Sequence, residues 1–434
     1  MMSKIDIEST AALLLNNRLF TGTTDSGLRV YVYEMPGKSS VSAQLAVGFG
    51  STMVHVTDRG KRCRLPSGTA HFLEHKLFER NGVDSFTLFA DLGASSNAYT
   101  TFNRTTFVFR SSTEYEEPLG ILLDFFREPL FTKEGVEKEK PIIADEIRMY
   151  MDDPGWRTSF NLFRSLYRNI GINDDIAGSL ESLQQIDYVL LNDCFRSFYR
   201  PDNMALAVTG PVEHERVFEI AQKLTASGTG SRRFTLTSAQ EPEQIIKDRS
   251  LDMMNLSIPM FDLGFKEKAF REFADVKNEL LMDMVLDLIA GESTEFFREM
   301  YDSNLLSDSF GSGFYSGDEY LCTYFEGDSH QPEKVRDMIL DRIVELKRSG
   351  LDPDLFEERA RTSVGSYISI FDSPGSVAGS LISCHFKNTS LYDIIQHVGN
   401  PDIDGANGIL RDCFEPSQCS LSVIRPTDSG DQYT

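Results

Sequence analysis

"IDYVLLNDCFRSFYRPDNMALAV", Ile186 to Val208, decides the fold, because its pattern returns half a chain later. The second copy reads "IDGANGILRDCFEPSQCSLSV", Ile403 to Val423. The two Asp-Cys-Phe triplets lie 219 positions apart, and the apolar strands that follow them lie 215 apart. Both separations are close to 217, which is half of the 434 residues. The pattern predicts a tandem duplication, with two homologous domains in one polypeptide.

The segments around the repeat mix strands and helices. In each copy, we predict a helix that ends at the Cys-Phe pair and a short loop that leads to an apolar strand. Nearer the N-terminus, "LRVYVYE" places Leu28, Val30 and Val32 on one face of a strand. "SAQLAVGFG" and "TTFVFRSS" read as further strands, followed by a helix around "LGILLDFFREPL". Strands followed by helices predict an α+β fold, in which helices pack on one face of a mixed sheet.

A polar stretch separates the two halves. "TASGTGSRRFTLTSAQEPEQ", Thr225 to Gln244, is rich in Ser, Thr, Gly and Gln, which is typical of a linker. We therefore predict an N-terminal domain over residues 1–228, a linker over residues 229–248, and a C-terminal domain over residues 249–434.

Composition narrows the possible partners and the location. The formal net charge of −23 disfavours nucleic acid and anionic lipid, and favours neutral or cationic partners. Six cysteines without a C-x-x-C pair predict reduced, mostly buried thiols. The sequence lacks a run of about eighteen apolar residues that would span a membrane. Its first twenty residues lack the features of a signal peptide. We expect a cytoplasmic protein with no membrane and no nucleic-acid partner.

A helix with the spacing of metal ligands stands in the N-terminal half, within "SGTAHFLEHKLFER", Ser67 to Arg80. His71 and His75 are one turn apart, so both imidazoles can reach one ion, and Glu74 shares their face. The order H-x-x-E-H is the inverted zinc motif, in which the glutamate takes a proton from water. A surface helix on which these residues coincide is the alternative. A third ligand would distinguish a zinc site from a surface helix, because catalytic zinc normally has three protein ligands.

Carboxylates for the third position occur in "GVEKEKPIIADEIRMYMDDPGW", Gly135 to Trp156. The candidates are Glu139, Asp145 and Glu146. Glu139 and Glu146 are two turns apart, so one helix would place both on one face. If the helix starts near Pro141, Glu146 is one turn inside it. A solvated charged face is the alternative interpretation, and the residue types alone leave the choice open.

These motifs resemble the pitrilysin/insulinase family of zinc peptidases over nearly the whole chain. The matching stretches are "GTAHFLEHKLFE", "FADLGASSNAYTTFNRTTFVF", "VEKEKPIIADEIRMYMDDP" and "FYRPDNMALAVTGPV". Their order is similar to that of the zinc-bearing subunit of heterodimeric bacterial members and of the beta subunit of mitochondrial processing peptidase. The resemblance implies two tandem pitrilysin-like domains that form one half of a clamshell around a chamber.

The same resemblance implies a role for each residue of the motif. His71, His75 and Glu146 match the family's zinc ligands, with one Zn²⁺ per chain. The 71 positions between His75 and Glu146 are close to the family's separation. Glu74 matches the general base, and Glu139 matches a glutamate that supports the site from nearby.

"GASSNAYTTF" resembles the family's edge strand beside the zinc, to which a substrate peptide adds as an extra strand. The substrate contacts would come from Asn97, Ala98 and Tyr99. An ordinary strand after a Gly-Ala turn is the alternative.

Two positions depart from the family pattern. Pro141 stands where relatives usually have glycine. The family's active site is completed by an Arg and a Tyr from a later domain, and this chain keeps Arg298 but has Ser307 or Asp308 where the tyrosine belongs. We interpret Arg298 as a helix-surface or ion-pair residue.

The resemblance, with these departures, implies a zinc metalloendopeptidase that cuts small or unfolded peptides. A paralogous subunit that lacks H-x-x-E-H would supply the Arg-Tyr pair. Similar bacterial subunits process peptides, including ribosomally made peptide products. A non-catalytic structural subunit and a self-sufficient homodimer are the alternatives.

Overall fold

The structure is a computed structural model, which describes residues 8–10, 17–80, 83–112, 114–126, 131–225, 233–267 and 276–427. The chain divides into two compact units, each made of three segments. Unit 1 contains residues 1–147, 175–238 and 366–393, and unit 2 contains residues 148–174, 239–365 and 394–434. The change of unit after residue 238 lies within the predicted linker, whereas the predicted boundary at residue 228 falls outside the described residues.

The strands of unit 1 are β1 (Glu8–Thr10), β2 (Arg18–Thr23), β3 (Arg29–Glu34), β4 (Val41–Val47), β5 (His55–Asp58), β6 (Lys61–Arg64), β7 (Glu79–Arg80), β8 (Val83–Asp84), β9 (Ala94–Thr100), β10 (Thr105–Ser111), β11 (Met204–Gly210) and β12 (Phe234–Leu236). The helices that begin in the first half of the chain are α1 (Thr69–Phe78), α2 (Ser85–Asp91), α3 (Glu116–Asp124), α4 (Lys133–Met151), α5 (Pro154–Leu166), α6 (Leu180–Gln185), α7 (Tyr188–Phe198) and α8 (His214–Thr225).

The strands of unit 2 are β13 (Arg249–Met254), β14 (Met260–Lys266), β15 (Gly311–Gly317), β16 (Tyr320–Asp328) and β17 (Cys419–Pro426). The helices of the second half are α9 (Val276–Ala290), α10 (Glu295–Asp302), α11 (Pro332–Ser349), α12 (Pro353–Ser369), α13 (Pro374–Phe386), α14 (Leu391–Gly399) and α15 (Ile403–Asp412).

The main sheets of the two units have the same topology. In unit 1 the order is β1-β2-β3-β11-β4-β10-β9, and β11 runs parallel to β3 and antiparallel to β4. In unit 2 the order is β13-β17-β14-β16-β15, with β17 parallel to β13 and antiparallel to β14. Five strands therefore recur in the same order and direction, as expected for a duplicated α+β domain.

Strands β4 and β11 form the centre of the unit 1 sheet, and every side chain in both strands is buried. Helix α13 packs on these two strands, where Gln44 Nε2 donates to the carbonyl oxygen of Gly375. The predicted alternation in "LRVYVYE" is confirmed, because Leu28, Val30 and Val32 are all buried.

Helices are exchanged between the two halves of the sequence. Helix α5 comes from the first half but packs on β14 and β17 of unit 2. Helix α13 comes from the second half but belongs to unit 1. Each sheet is thus covered in part by a helix from the other copy of the repeat, which a contiguous reading of the sequence does not predict.

The two copies of the repeat end their helices differently. Helix α15 ends at Asp412, immediately before the Cys-Phe pair, as predicted. Helix α7 continues to Phe198, so the prediction that it ends at Cys194-Phe195 is wrong. The buried face of α7 extends for another turn, whereas Pro416 follows the second pair closely and prevents such an extension.

Part of the predicted linker has secondary structure. Strand β12 pairs antiparallel with β5, and Phe234 is buried there. Arg233 donates to the carboxylates of Asp58 and Asp193, which fixes the start of the strand.

The cysteines agree with the sequence prediction. All six are free thiols, and five are buried, while Cys63 is exposed on β6.

Of the helices in the described ranges, none has both the length and the apolar character needed to cross a membrane.

Candidate metal centre

Helix α1 carries the two histidines. It begins after Gly68, whose φ of +83° lies in the left-handed region, and a Cβ there would lie 2.4 Å from the Ala177 carbonyl oxygen. The turn before the helix therefore requires glycine. Phe72 is fully buried and anchors α1. His71 and His75 lie one turn apart, and their ring centroids are separated by 4.6 Å.

Helix α4 brings one carboxylate to both imidazoles. Glu146 Oε1 lies 3.4 Å from His71 Nε2, and Glu146 Oε2 lies 3.1 Å from His75 Nε2. Ligand atoms around a tetrahedral zinc ion are about 3.3 Å apart when each lies roughly 2.0–2.1 Å from the metal. The spacing and the donor types therefore fit zinc. Asp145, another candidate from the sequence, is exposed on α4.

Glu139 binds the opposite nitrogen of His75. Glu139 Oε1 lies 3.1 Å from His75 Nδ1, and the Glu139 side chain is buried. Lys76 Nζ, which is also buried, lies 3.6 Å from Glu139 Oε2. A hydrogen bond at Nδ1 places the imidazole proton there and leaves Nε2 available to a metal.

Pro141 does not interrupt the helix that carries both glutamates. Helix α4 is continuous from Lys133 to Met151, so it begins eight residues before Pro141. Pro141 is exposed, so water can solvate the backbone carbonyl that loses its donor. Glu139 and Glu146 both face α1, as their two-turn spacing predicts.

The charges of this cluster are strongly coupled. Burial opposes protonation of His75, but hydrogen bonds with Glu139 and Glu146 outweigh it and raise the pKa of His75 to about 9. Burial acts to raise the pKa of Glu146, and the hydrogen bonds from His71 and His75 overcome this and hold that pKa well below its usual range. A divalent cation can take the place of the proton that His75 holds here.

Glu74 contacts the edge of the sheet. Its Oε2 accepts a hydrogen bond from Thr100 Oγ1 at 2.5 Å. Burial raises the pKa of Glu74, and the charge of His71 and the hydrogen bond from Thr100 oppose the shift. The sequence motifs do not single out Thr100, although the two-residue period of a strand places it on the same face as Ala98.

The predicted substrate strand is β9, at one edge of the unit 1 sheet. It pairs with β10 on one side, and within the part of the chain that the structure describes no strand pairs with its other side. Asn97 and Tyr99 are exposed. The Ala98 N–H donates to Asn97 Oδ1 at 3.0 Å. The three predicted contact residues therefore lie on an open strand edge that leads to Thr100.

The residues expected to correspond to the family's Arg-Tyr pair lie in unit 2. Arg298 is exposed on α10. Asp308 stands near the place of the missing tyrosine, and hydrogen bonding to its carboxylate raises the pKa of Tyr301, on the same helix. Among the described residues, both of the clusters with metal-ligand geometry belong to unit 1.

Comparison with known proteins identifies the family. Residues 29–179 match the family model of insulinase (peptidase family M16), and residues 185–362 match that of the peptidase M16 inactive domain. The uncharacterized zinc protease YmfH of Bacillus subtilis is 30% identical over 422 residues, which cover 95% of this chain and 97% of that protein. The chain belongs to the insulinase, or pitrilysin, family of peptidases, M16.

Other relatives agree with this assignment. The beta subunit of the Saccharomyces cerevisiae mitochondrial-processing peptidase is 25% identical over 258 residues, covering 55% of this chain and 53% of that protein. The crystal structure of an M16-like peptidase from Alicyclobacillus acidocaldarius has a TM-score of 0.89 at 26% identity, covering 98% of this chain and 100% of that one. The predicted two-domain pitrilysin-like fold is confirmed, and the class of protein is an M16 metallopeptidase.

Proposed function

We propose that this chain is the zinc-binding, catalytic subunit of a heterodimeric peptidase that cleaves small or unfolded peptides. One observation carries the proposal. One ligand atom from each of His71, His75 and Glu146 lies within 4.8 Å of the other two. Two imidazoles and one carboxylate are the protein ligands of hydrolytic zinc sites that keep a position for water.

The residues of the site have distinct tasks in this proposal. His71, His75 and Glu146 hold one Zn²⁺, and Glu139 orients His75 through Nδ1. When bound, the ion supplies Lewis-acid chemistry, which polarises a peptide carbonyl and makes water more acidic. Glu74 accepts the proton of the attacking water and returns it to the leaving amine. Burial raises the pKa of Glu74 toward neutral pH, where a general base is most effective.

The open edge of β9 offers the peptide a place to bind. An extended peptide can add to the edge by backbone hydrogen bonds, which demand little of its side chains. A peptide carbonyl would replace Asn97 Oδ1 as the acceptor of the Ala98 N–H. Thr100 ends the same strand and binds Glu74, so one hydrogen bond joins the peptide strand to the general base.

We infer that a paralogous subunit without H-x-x-E-H completes the site. Hydrolysis builds negative charge on the carbonyl oxygen, and donors besides the metal stabilise this charge. This chain has Arg298 but no tyrosine at position 307 or 308. A partner with an Arg-Tyr pair would supply both donors. The name of the yeast relative, a processing-peptidase beta subunit, supports a role in peptide processing. We include ribosomally made peptide products among the proposed substrates.

The test combines zinc content with peptide hydrolysis, for the chain alone and with its paralogue. We expect one zinc per wild-type chain, zinc near background in His71→Ala, and zinc without hydrolysis in Glu74→Gln. Full zinc occupancy in His71→Ala would remove the metal assignment. Equal turnover with and without the paralogue would remove the heterodimer but leave the zinc assignment standing.

A further inference from the structure

A partly buried guanidinium next to the edge strand has no counter-ion among the described residues. Arg104 lies in the turn from β9 to β10, and its Nε is buried without a hydrogen-bond partner. Across the described ranges, no carboxylate lies within ion-pair distance of this guanidinium. Removing a charge from water without a partner costs free energy, so an unpaired group of this kind requires an explanation.

The turn that carries Arg104 is held firmly. The Thr101 N–H donates to the Arg104 carbonyl oxygen at 2.8 Å, and the Arg104 N–H donates to Thr101 Oγ1 at 3.3 Å. The Ser51 N–H donates to the Thr101 carbonyl oxygen at 3.0 Å. A Cβ on Gly50 would lie 2.4 Å from the Arg104 backbone nitrogen, so these backbones are in direct contact. The backbone that carries the Arg104 side chain is therefore fixed before any ligand binds, which lowers the entropy cost of binding.

The turn that holds Arg104 continues the proposed peptide strand and follows the residue that binds the general base. Thr101, its hydrogen-bond partner, follows Thr100, whose hydroxyl binds Glu74. Burial lowers the pKa of Arg104, and the nearby phenol of Tyr99 opposes the shift. Because the turn from Thr101 to Arg104 continues β9, a peptide that adds to β9 and extends beyond Tyr99 would reach this turn.

We propose that Arg104 is a specificity-determining residue that binds a carboxylate of the peptide substrate. Its planar guanidinium can donate two parallel hydrogen bonds to a carboxylate. The net charge of −23 favours neutral or cationic peptides at long range. A peptide with one acidic group at the Tyr99 end of β9 and an otherwise neutral or basic sequence can bind Arg104. It also avoids repulsion by the negative charge of the protein. This inference rests on the proposed function, because it places a peptide on β9.

The carboxylate can belong to an Asp or Glu side chain or to the C-terminus of the peptide. Matched peptides distinguish the two sources. One set contains Glu or Gln at a single position, which is moved one residue at a time along the sequence. Each peptide is made with a free and with an amidated C-terminus.

The assembled enzyme is assayed on these pairs, and kcat/KM is compared within each pair. We expect one position of the Glu residue, or the free C-terminus, to make a clear difference. There the peptide with the carboxylate should be cleaved about 10- to 100-fold faster than its uncharged counterpart, which is the effect of a charge-assisted hydrogen bond. In Arg104→Gln this ratio should fall to about one, while Arg104→Lys should keep part of it. Arg110→Gln is the matched control, since Arg110 is exposed at the far end of the neighbouring strand β10. It should keep the full ratio.

A wild-type ratio near one for every pair, or a ratio that survives Arg104→Gln, overturns the proposal. Binding of the same peptides to Glu74→Gln protein, followed by fluorescence anisotropy, separates this failure from that of the proposed function. Arg104-dependent binding without cleavage in the wild type refutes the peptidase function alone. Cleavage without carboxylate preference refutes the Arg104 proposal alone, and the absence of both binding and cleavage refutes both.

Thermal melting distinguishes a substrate contact from a structural role. An unpaired, partly buried charge makes no stabilising ion pair, so the Tm of Arg104→Gln should not fall. A fall of several degrees together with lost preference would identify Arg104 as a structural residue and overturn the assignment.

Discussion

Replacement of Glu139 by glutamine removes a charge from the metal centre but almost no volume. Glu139 Oε1 accepts from His75 Nδ1 at 3.1 Å, and its Oε2 lies 3.6 Å from Lys76 Nζ. Glutamine offers one neutral acceptor oxygen in place of two charged ones. The hydrogen bond at His75 Nδ1 should therefore weaken, and His75 Nε2 should become a poorer metal ligand.

The expected loss of zinc affinity is about 10- to 100-fold, or roughly 1.4–2.7 kcal/mol. The side chains of His75 and Glu139 are only 22% and 10% exposed, so water screens the pair weakly and the upper half of the range applies. The loss depends on pH, because zinc binds neutral imidazole. The pKa of His75 is about 9 in the metal-free protein, so below that pH protons compete with zinc in the wild type.

The sign of the pH effect follows from the raised pKa of His75. Below pH 9, wild-type zinc affinity should fall by about tenfold per pH unit as His75 is protonated. In Glu139→Gln the pKa of His75 is lower, so the same competition begins at a lower pH. The affinity difference between wild type and variant should therefore be full at about pH 9.5 and much smaller near pH 7.

Competition with a chromophoric zinc chelator, measured across this pH range, gives the two Kd curves. Glu137→Gln is the matched control, because Glu137 lies on the same helix, 53% exposed and paired with Lys140. Its curve should overlay that of the wild type. Two parallel curves for wild type and Glu139→Gln, or equal affinities at the highest pH, would refute the claim that Glu139 tunes His75.

Other changes test the general base, the peptide strand and the partner. Glu74→Gln should keep zinc and fold, because glutamine still accepts from Thr100, and kcat should fall by about a hundredfold or more. Normal turnover would assign Glu74 another role. A peptide complex of Glu74→Gln should show an extended chain paired with Asn97–Thr101, and contacts only elsewhere would contradict this. Addition of the paralogous subunit should raise kcat by about a hundredfold to a thousandfold, as the gain of an oxyanion donor does. An unchanged kcat would show that the paralogous subunit contributes no such donor.

Local periodicity predicts the features of single strands and helices, because these features depend on residues that are close in sequence. The alternation around Val30 and the one-turn spacing of His71 and His75 are properties of a single strand and a single helix, and both are observed. The residue types leave open the choice between Glu139, Asp145 and Glu146, because it depends on the rotation of α4 relative to α1, which long-range packing sets. The resemblance selected Glu146, and the structure places it at both imidazoles.

The sequence does not predict that α5 and α13 are exchanged between the two units, because this also depends on long-range packing. Each helix buries an apolar face, and the five matching strands of the two sheets share one order. Periodicity shows that a helix must cover a sheet, but it does not show which of two similar sheets. The same limit applied to β12, whose three residues are too few for a periodic signal and are recognised as a strand only by their pairing with β5.

The contact between Glu74 and Thr100 has a counterpart in unit 2. The counterpart distinguishes the contribution of this contact to folding from its contribution to catalysis. Ser316, near the end of the edge strand β15, donates to Glu279 Oε1 of α9 at 2.6 Å. Helix α9 contains no histidine, so the contact exists there without metal ligands. A bond between a helix carboxylate and an edge-strand hydroxyl is thus part of the packing, and the assignment of Glu74 as base depends on the histidines beside it.

Thr100→Val tests this division. The variant keeps the shape of the side chain but removes the donor to a partly buried carboxylate, so the free energy of unfolding should fall by about 1.5–3 kcal/mol. Because Glu74 keeps its carboxylate, kcat should fall far less than in Glu74→Gln. Chemical denaturation and peptide turnover, measured on the same preparations, give the two quantities. A loss of turnover as large as that of Glu74→Gln with unchanged stability would show that Thr100 belongs to the catalytic machinery.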